Sequence, residues 1–259
     1  MGRGRSRSGA AVGGAAGNAN LMGQPTFQPM NAAGAVPPNV QPGQPVPAIT
    51  QAQLQAMNDT EFANYLNGLK STPIDQLTYY NNSWDTQRLV ANMPELNQAP
   101  QVVDAQTFAS LPGQAIYRTV NASGTEDAVA ICARTMTSDV TTIGEGRMGD
   151  GFYFATSLSV SQQGYGNYRN NVNRTATMAA KLNGNAHIIT EDSLNRMVNN
   201  ESRTVRNAML NMRSGGGWGK SGYMAYALRK GYNVVQAGGI YNVIDRNAAT
   251  WSSDVIPMS

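Results

Sequence analysis

The chain has 259 residues and is mildly basic, with 19 Lys+Arg against 16 Asp+Glu, and only 14% of its residues are charged. That length suits one large domain or two small ones, and no apolar run approaches the ~18 residues of a membrane-spanning helix. One cysteine, Cys132, excludes an internal disulfide framework and a cysteine-cluster zinc site; one histidine, His187, removes most His-ligated metal sites, so no metal is expected.

Residues 1–48 hold seven of the twelve prolines and nine of the 27 glycines, with Arg3, Arg5 and Arg7 and no acidic residue. Such a segment buries too little apolar surface to offset chain entropy, so a disordered tail is expected there. The start MGRGRSRS lacks the apolar core of a secretory signal. The tail's arginines could touch phosphates weakly, but their simplest role is to solubilise. Residues 51–259 balance 16 basic against 16 acidic residues, which supplies no nucleic-acid footprint to the folded part.

From Thr50 the composition changes. ITQAQLQAM and NDTEFANYLNGLK predict two short helices, the second capped by Asn58 or Asp59 with Phe62, Tyr65 and Leu66 at helical spacing. A third helix is expected from Asp85 to Pro94, which makes 49–100 a helical lead-in to a domain over 101–259. Within that domain, QAIYRTV (114–120) reads as a strand and EDAVAICARTM (126–136) as a helix. The loop GEGRMGDG (144–151) leads into the strand FYFATS (152–157), followed by strands at TATMAAKL and HIIT. Thr190 is placed to cap a helix with Glu191 and Asp192 in its first turn. Helices at about 201–212 and at SGYMAYALRK follow, the latter ending at Gly231. YNVVQ, AGG and IYNVI close the pattern as a hairpin. The order implies an α+β fold with a mixed sheet.

Four features invite chemistry. SGGGWGKS (214–221) ends like a phosphate-binding loop, but its required first glycine is Ser214 and a helix, not a strand, precedes it. A mobile glycine loop is the alternative. His187 could be a general base, although a structural histidine in a buried strand is the simpler reading. Cys132 shares an apolar helix face with Val129 and Met136, which makes it a core residue. Arg118 sits inside the apolar strand IYRTV, where a charge must either pair internally or face a cleft and an anionic ligand.

The series IYR, GDGFYFATS, QQGYGNY and GYNVVQAGGIYNVIDRNA resembles the ADP-ribosyltransferase fold family over about residues 101–250, in particular compact versions among phage virion and head-associated proteins. The resemblance implies two small packed sheets with a cleft between them and flanking helices, preceded by the helical lead-in and tail. It implies NAD-dependent mono-ADP-ribosyl transfer to a protein acceptor, or, alternatively, a non-enzymatic virion component that retains the fold. It places such a protein in a virion or the host cytoplasm, with virion proteins as further partners. By position, Arg118 would hold the NAD phosphates and ribose, with Thr119 beside it. Tyr153 would stack on nicotinamide, flanked by Gly151 and Phe154. Thr156 and Ser157 would support the site, Tyr165 would close the pocket, and Gln236 would orient the acceptor. The family's catalytic acid is missing: Ile240 stands at its position, and residues 202–244 contain no Asp or Glu.

Overall fold

The computed structural model describes residues 46–71, 84–122, 127–137, 143, 148–166, 175–212 and 221–257. Most of the expected tail therefore lies outside the described residues, and the described chain is ordered into the fold from Val46. Val46 is buried, and Asn92 Nδ2 donates to the carbonyls of Val46 (2.8 Å) and Pro47 (3.0 Å).

Among the described residues three helices come first: α1 (Gln51–Ala56), α2 (Asp59–Ser71) and α3 (Trp84–Asn92). Thr50 and Gln53 form a reciprocal cap on α1. Asn58 does the same for α2: its Oδ1 accepts from Glu61 N (3.0 Å), and Glu61 Oε2 accepts from Asn58 N (2.8 Å). A short strand β1 (Gln101–Val103) and helix α4 (Ala105–Ser110) follow, two elements that the sequence pattern does not announce. The remaining order is β2 (Ala115–Asn121), α5 (Ala128–Thr135), β3 (Phe152–Ala155), α6 (Leu158–Gly166), β4 (Thr175–Leu182), β5 (Ile188–Thr190), α7 (Glu191–Asn200), α8 (Arg203–Asn211), α9 (Ser221–Arg229), β6 (Val234–Ala237), β7 (Ile240–Val243) and β8 (Ala249–Pro257). Thr190 caps α7 as expected, accepting from Ser193 N at 3.2 Å. The hairpin turn at Gly238 and Gly239 has φ of 57° and 111°, a left-handed geometry that favours glycine.

The eight strands of the described residues belong to one mixed sheet in the order β1-β8-β4-β2-β3-β7-β6-β5. The outer pairs β1–β8 and β5–β6 are parallel and the rest antiparallel. Two separate sheets were expected; instead the two four-strand halves are joined, and the joint between β2 and β3 is a single paired position, Tyr117↔Ala155. No described helix is long and apolar enough to cross a membrane.

The helical lead-in is not a separate layer. Phe62, Leu66, Leu89 and Met93 belong to the same buried cluster as Phe152 and Trp251. Arg229 of α9 donates through Nη2 to Met57 O (2.9 Å) and Asp59 Oδ1 (2.8 Å), with its guanidinium 4.7 Å from the Phe62 ring centroid. Phe62 is fully buried and meets Tyr226 at 6.4 Å between ring centroids. Phe62→Ala should therefore cost about 3–5 kcal/mol of global stability. Urea unfolding of the full chain, followed by both circular dichroism and tryptophan fluorescence, should remain one coincident transition, because helices and sheet share a core. A separate early transition for the lead-in would refute this.

Where α7 ends, Glu201 accepts from Tyr226 Oη (2.5 Å) and pairs with Lys230 Nζ (2.8 Å). Burial alone would push this carboxyl up, but the hydrogen bonds from Lys230 and Tyr226 together hold it below its ordinary value. A carboxylate with a depressed pKa when folded stabilises the protein above its unfolded pKa of about 4.3, and that contribution is lost as pH falls through the folded value. Glu201→Gln should lower stability at neutral pH and narrow the gap to wild type on acidification below pH ~4.3, measured by thermal melts across a pH series.

Candidate functional site

Alternation along β2 decides where the candidate residues point. Ile116, Arg118 and Val120 share one face of the sheet and Tyr117, Thr119 and Asn121 the other. Arg118 is 8% exposed. Its Nη1 donates to Tyr153 O (3.4 Å) and its guanidinium lies 5.5 Å from the Phe152 ring centroid. Arg246 approaches the same ring at 5.3 Å, and donates through Nη1 to Thr135 O at 2.9 Å. Trp251 completes the group, edge-on to Phe152 (6.0 Å) and Phe154 (5.2 Å). Cys132 of α5 is buried on this side. Burial pushes its thiol up to about 12, against a smaller lowering by the Arg118 charge, and so favours the protonated form.

The GDG motif is a packed loop. Gly149 has a φ of 99°. A Cβ on Gly151 would fall 2.0 Å from Asn242 Oδ1 and 3.1 Å from Val243 O. Glycine is required there because Asn242, fully buried on β7, reaches across to the loop. Its Nδ2 donates to the carbonyls of Met148 (3.4 Å), Gly149 (3.2 Å) and Asp150 (3.4 Å). Asp150 is also fully buried; its carboxylate accepts from Thr86 Oγ1 and from Ser221 Oγ (2.8 Å). Tyr153, assigned above to stacking, donates its hydroxyl to Gly149 O at 2.5 Å and is 8% exposed.

Beyond β3 the hydroxyls serve local structure. Thr156 N donates to Gly239 O (2.9 Å), which docks the hairpin turn onto the end of β3, and Gln114 Nε2 donates to Thr156 O (3.1 Å). Ser157 Oγ accepts from Val160 N (3.1 Å) at the start of α6. Gln236 Nε2 donates to Tyr241 Oη (3.3 Å). Tyr165 falls within α6, and its side chain lies outside the described residues, as do Asn167 and Tyr168 at the end of QQGYGNY. Residues 214–220 of the glycine-rich loop also lie outside them. Its last residue, Ser221, is buried and engaged with Asp150 and Thr86, and the element before it is the helix α8. His187 does not sit in a buried strand: it precedes β5, is exposed, and its Nδ1 donates to Gly231 O at 3.1 Å.

Pairing carries these positions across the central strands. Tyr117 stands opposite Ala155, and Ala155 opposite Ile240. Those three therefore share the face opposite to Arg118. Phe154, Tyr241 and Gln236 stand opposite one another on Arg118's face. The structure thus brings the three motif strands side by side, β2-β3-β7, yet divides their candidate side chains between two faces. Arg118 and Gln236 lie on one, Thr119, Tyr153 and Ile240 on the other. Sequence reasoning missed Asn242, Tyr117 and Thr86. The polar Asn242 amid the hydrophobic hairpin strand IYNVI was the available signal. Among the described residues no group of three His, Cys, Asp or Glu could hold a metal ion.

Comparison with protein-family models, curated proteins and solved structures gives no match.

The contact between Gly151 and Asn242 is testable. Gly151→Ala should destabilise by about 1–3 kcal/mol through overpacking. Asn242→Ala should destabilise too, by withdrawing the donor shared among three carbonyls. The double substitution should be less harmful than the sum, because the removed amide makes room for the new methyl. Additive losses in a urea-melt cycle would show that the two do not meet.

Proposed function

We propose that this chain is an ADP-ribosyltransferase-like domain that no longer transfers ADP-ribose and works as a non-enzymatic virion or head-associated component of a phage particle. The single observation that carries the loss of chemistry is the division of the motif residues between faces: Arg118 packs under Phe152 on one side, while Ala155 and Ile240 pair on the other. Breaking the bond to nicotinamide develops positive charge on the ribose, and a preplaced carboxylate is its natural stabiliser. Ile240 occupies the place that the resemblance gives to that acid. The residues assigned to NAD do not fit it as a set, since the arginine is 8% exposed and the Tyr153 hydroxyl is bonded to Gly149 O. The particle role rests on the sequence resemblance.

A second reading, NAD-dependent mono-ADP-ribosyl transfer to a protein acceptor, is favoured by one observation: the three motifs occupy consecutive neighbouring strands at the middle of the sheet. Calorimetric titration with NAD, together with incubation of the protein with labelled NAD and cell lysate, separates the two. The first reading expects neither binding nor incorporation. Slow attachment of single ADP-ribose units would overturn it and favour the second. Ile240→Glu sharpens the test, because acid–base assistance is worth about 10²–10⁴-fold. With Arg118 on the opposite face, this substitution should yield no NAD hydrolysis; a gain in that range would mean that only the acid was missing.

A further inference from the structure

The two faces of the β2–β4 pair are covered by helices that dock in different ways. On one face Ile116, Arg118 and Val120 stand beside Ala176, Met178 and Ala180, since the register pairs Ile116↔Ala180, Arg118↔Met178 and Val120↔Ala176. On this side lies α5, whose buried residues are Ala128, Cys132 and Thr135. On the other face the same register pairs Tyr117↔Ala179, Thr119↔Thr177 and Asn121↔Thr175. That face is covered by α6, which touches β2, β3 and β4.

The seam beneath α6 is made of hydroxyls. Thr119 (3% exposed), Thr175 (3%), Thr177 (0%) and Ser161 (1%) are all buried. Thr119 Oγ1 lies 2.9 Å from both Ser161 Oγ and Thr177 Oγ1. Among the described side chains of α6, residues 158–163, only Ser161 is buried, while Leu158 is half-buried and Val160 is 49% exposed. A helix held through hydroxyls exchanges protein hydrogen bonds for water when it lifts, at a net loss of about 0.5–1.5 kcal/mol for each bond. A helix seated on apolar residues must instead expose them.

We infer that α6 is a displaceable cover, which opens by local unfolding without loss of the sheet and uncovers the hydroxyl row of Thr119, Thr175 and Thr177. Its near end is hinged where Ser157 caps it, directly after the joint at which β2 and β3 share their single paired position. The opening belongs to the low-stability end of the fold, while α5 opens only with the whole. This inference is independent of the reading under Proposed function, since no nucleotide and no transfer step enters it.

Native-state hydrogen exchange of the full chain tests it. Helical amides of residues 161–163 should exchange at least about 100-fold faster than those of 131–135, with a rate insensitive to low urea, as local openings are. Equal protection of the two helices would overturn the inference. A second measurement uses Thr119→Val, Ser161→Ala and Thr177→Val together. Removing at once the three hydroxyls that bond one another leaves none of the three orphaned, so the triple variant should slow exchange in α6 at least tenfold and leave α5 unchanged. Faster exchange in α6 of a folded triple variant would show that the hydroxyl bonds clamp the helix, and would equally overturn it. Should the variant fail to fold, the wild-type comparison decides alone.

Discussion

A buried carboxylate organises this fold. Asp150 has no exposed surface and takes hydroxyl hydrogen bonds from Thr86 on α3 and Ser221 at the start of α9, which themselves lie 2.7 Å apart. A carboxylate so far from water is tolerable only when it is bonded. The lead-in helix, the loop before β3 and the helix before the hairpin must therefore reach the fold together. The loop's path is fixed in turn by Asn242, whose amide gathers three successive carbonyls and leaves no space for a side chain at residue 151. Register between β3 and β7 follows from that grip, and with it the pairing of Ala155 with Ile240.

The same pairing explains why a string of recognisable motifs does not add up to a converging site. Strand residues alternate between faces, so a motif read along one strand is split in two as soon as the strand joins a sheet. Arg118 falls on the side where Phe152, Trp251 and Arg246 already stand, and its guanidinium lies over an aromatic ring, a stable setting for a delocalised cation. Thr119, one residue on, falls on the hydroxyl-rich side beneath α6. Buried polar groups occur on both sides of the central strands, but for different purposes. One set lies against a tightly packed aromatic core, and the other holds a helix by bonds that water can replace.

Sequence alone was a good guide wherever local rules suffice. The caps at Asn58 and Thr190, the strand 115–121, the helix around Cys132, the strand 175–182 and the AGG hairpin are all legible, since each depends on periodicity, capping chemistry or a glycine turn. Both β1 and β8 escaped notice because neither has a strong pattern of its own; they become strands by pairing with each other and, for β8, with β4. The helix α6 was missed for a related reason: its described residues carry a serine inward and a valine outward, the reverse of the usual signal.

The candidate site was legible as residue types and not as an arrangement. The sequence determined that a charged strand residue, a glycine-flanked aspartate and an asparagine-bearing hairpin would be present, and that no acid would stand between residues 202 and 244. Only the tertiary structure decided that Arg118 turns inward, that Asp150 ties two helices to the loop, that His187 is exposed, and that Asn242 is the reason for Gly151. The physical reason is distance along the chain. Thr86, Asp150 and Ser221 meet from positions 64 and 71 residues apart. No local preference encodes such a meeting; it is selected by the free energy of leaving a buried carboxyl group unbonded.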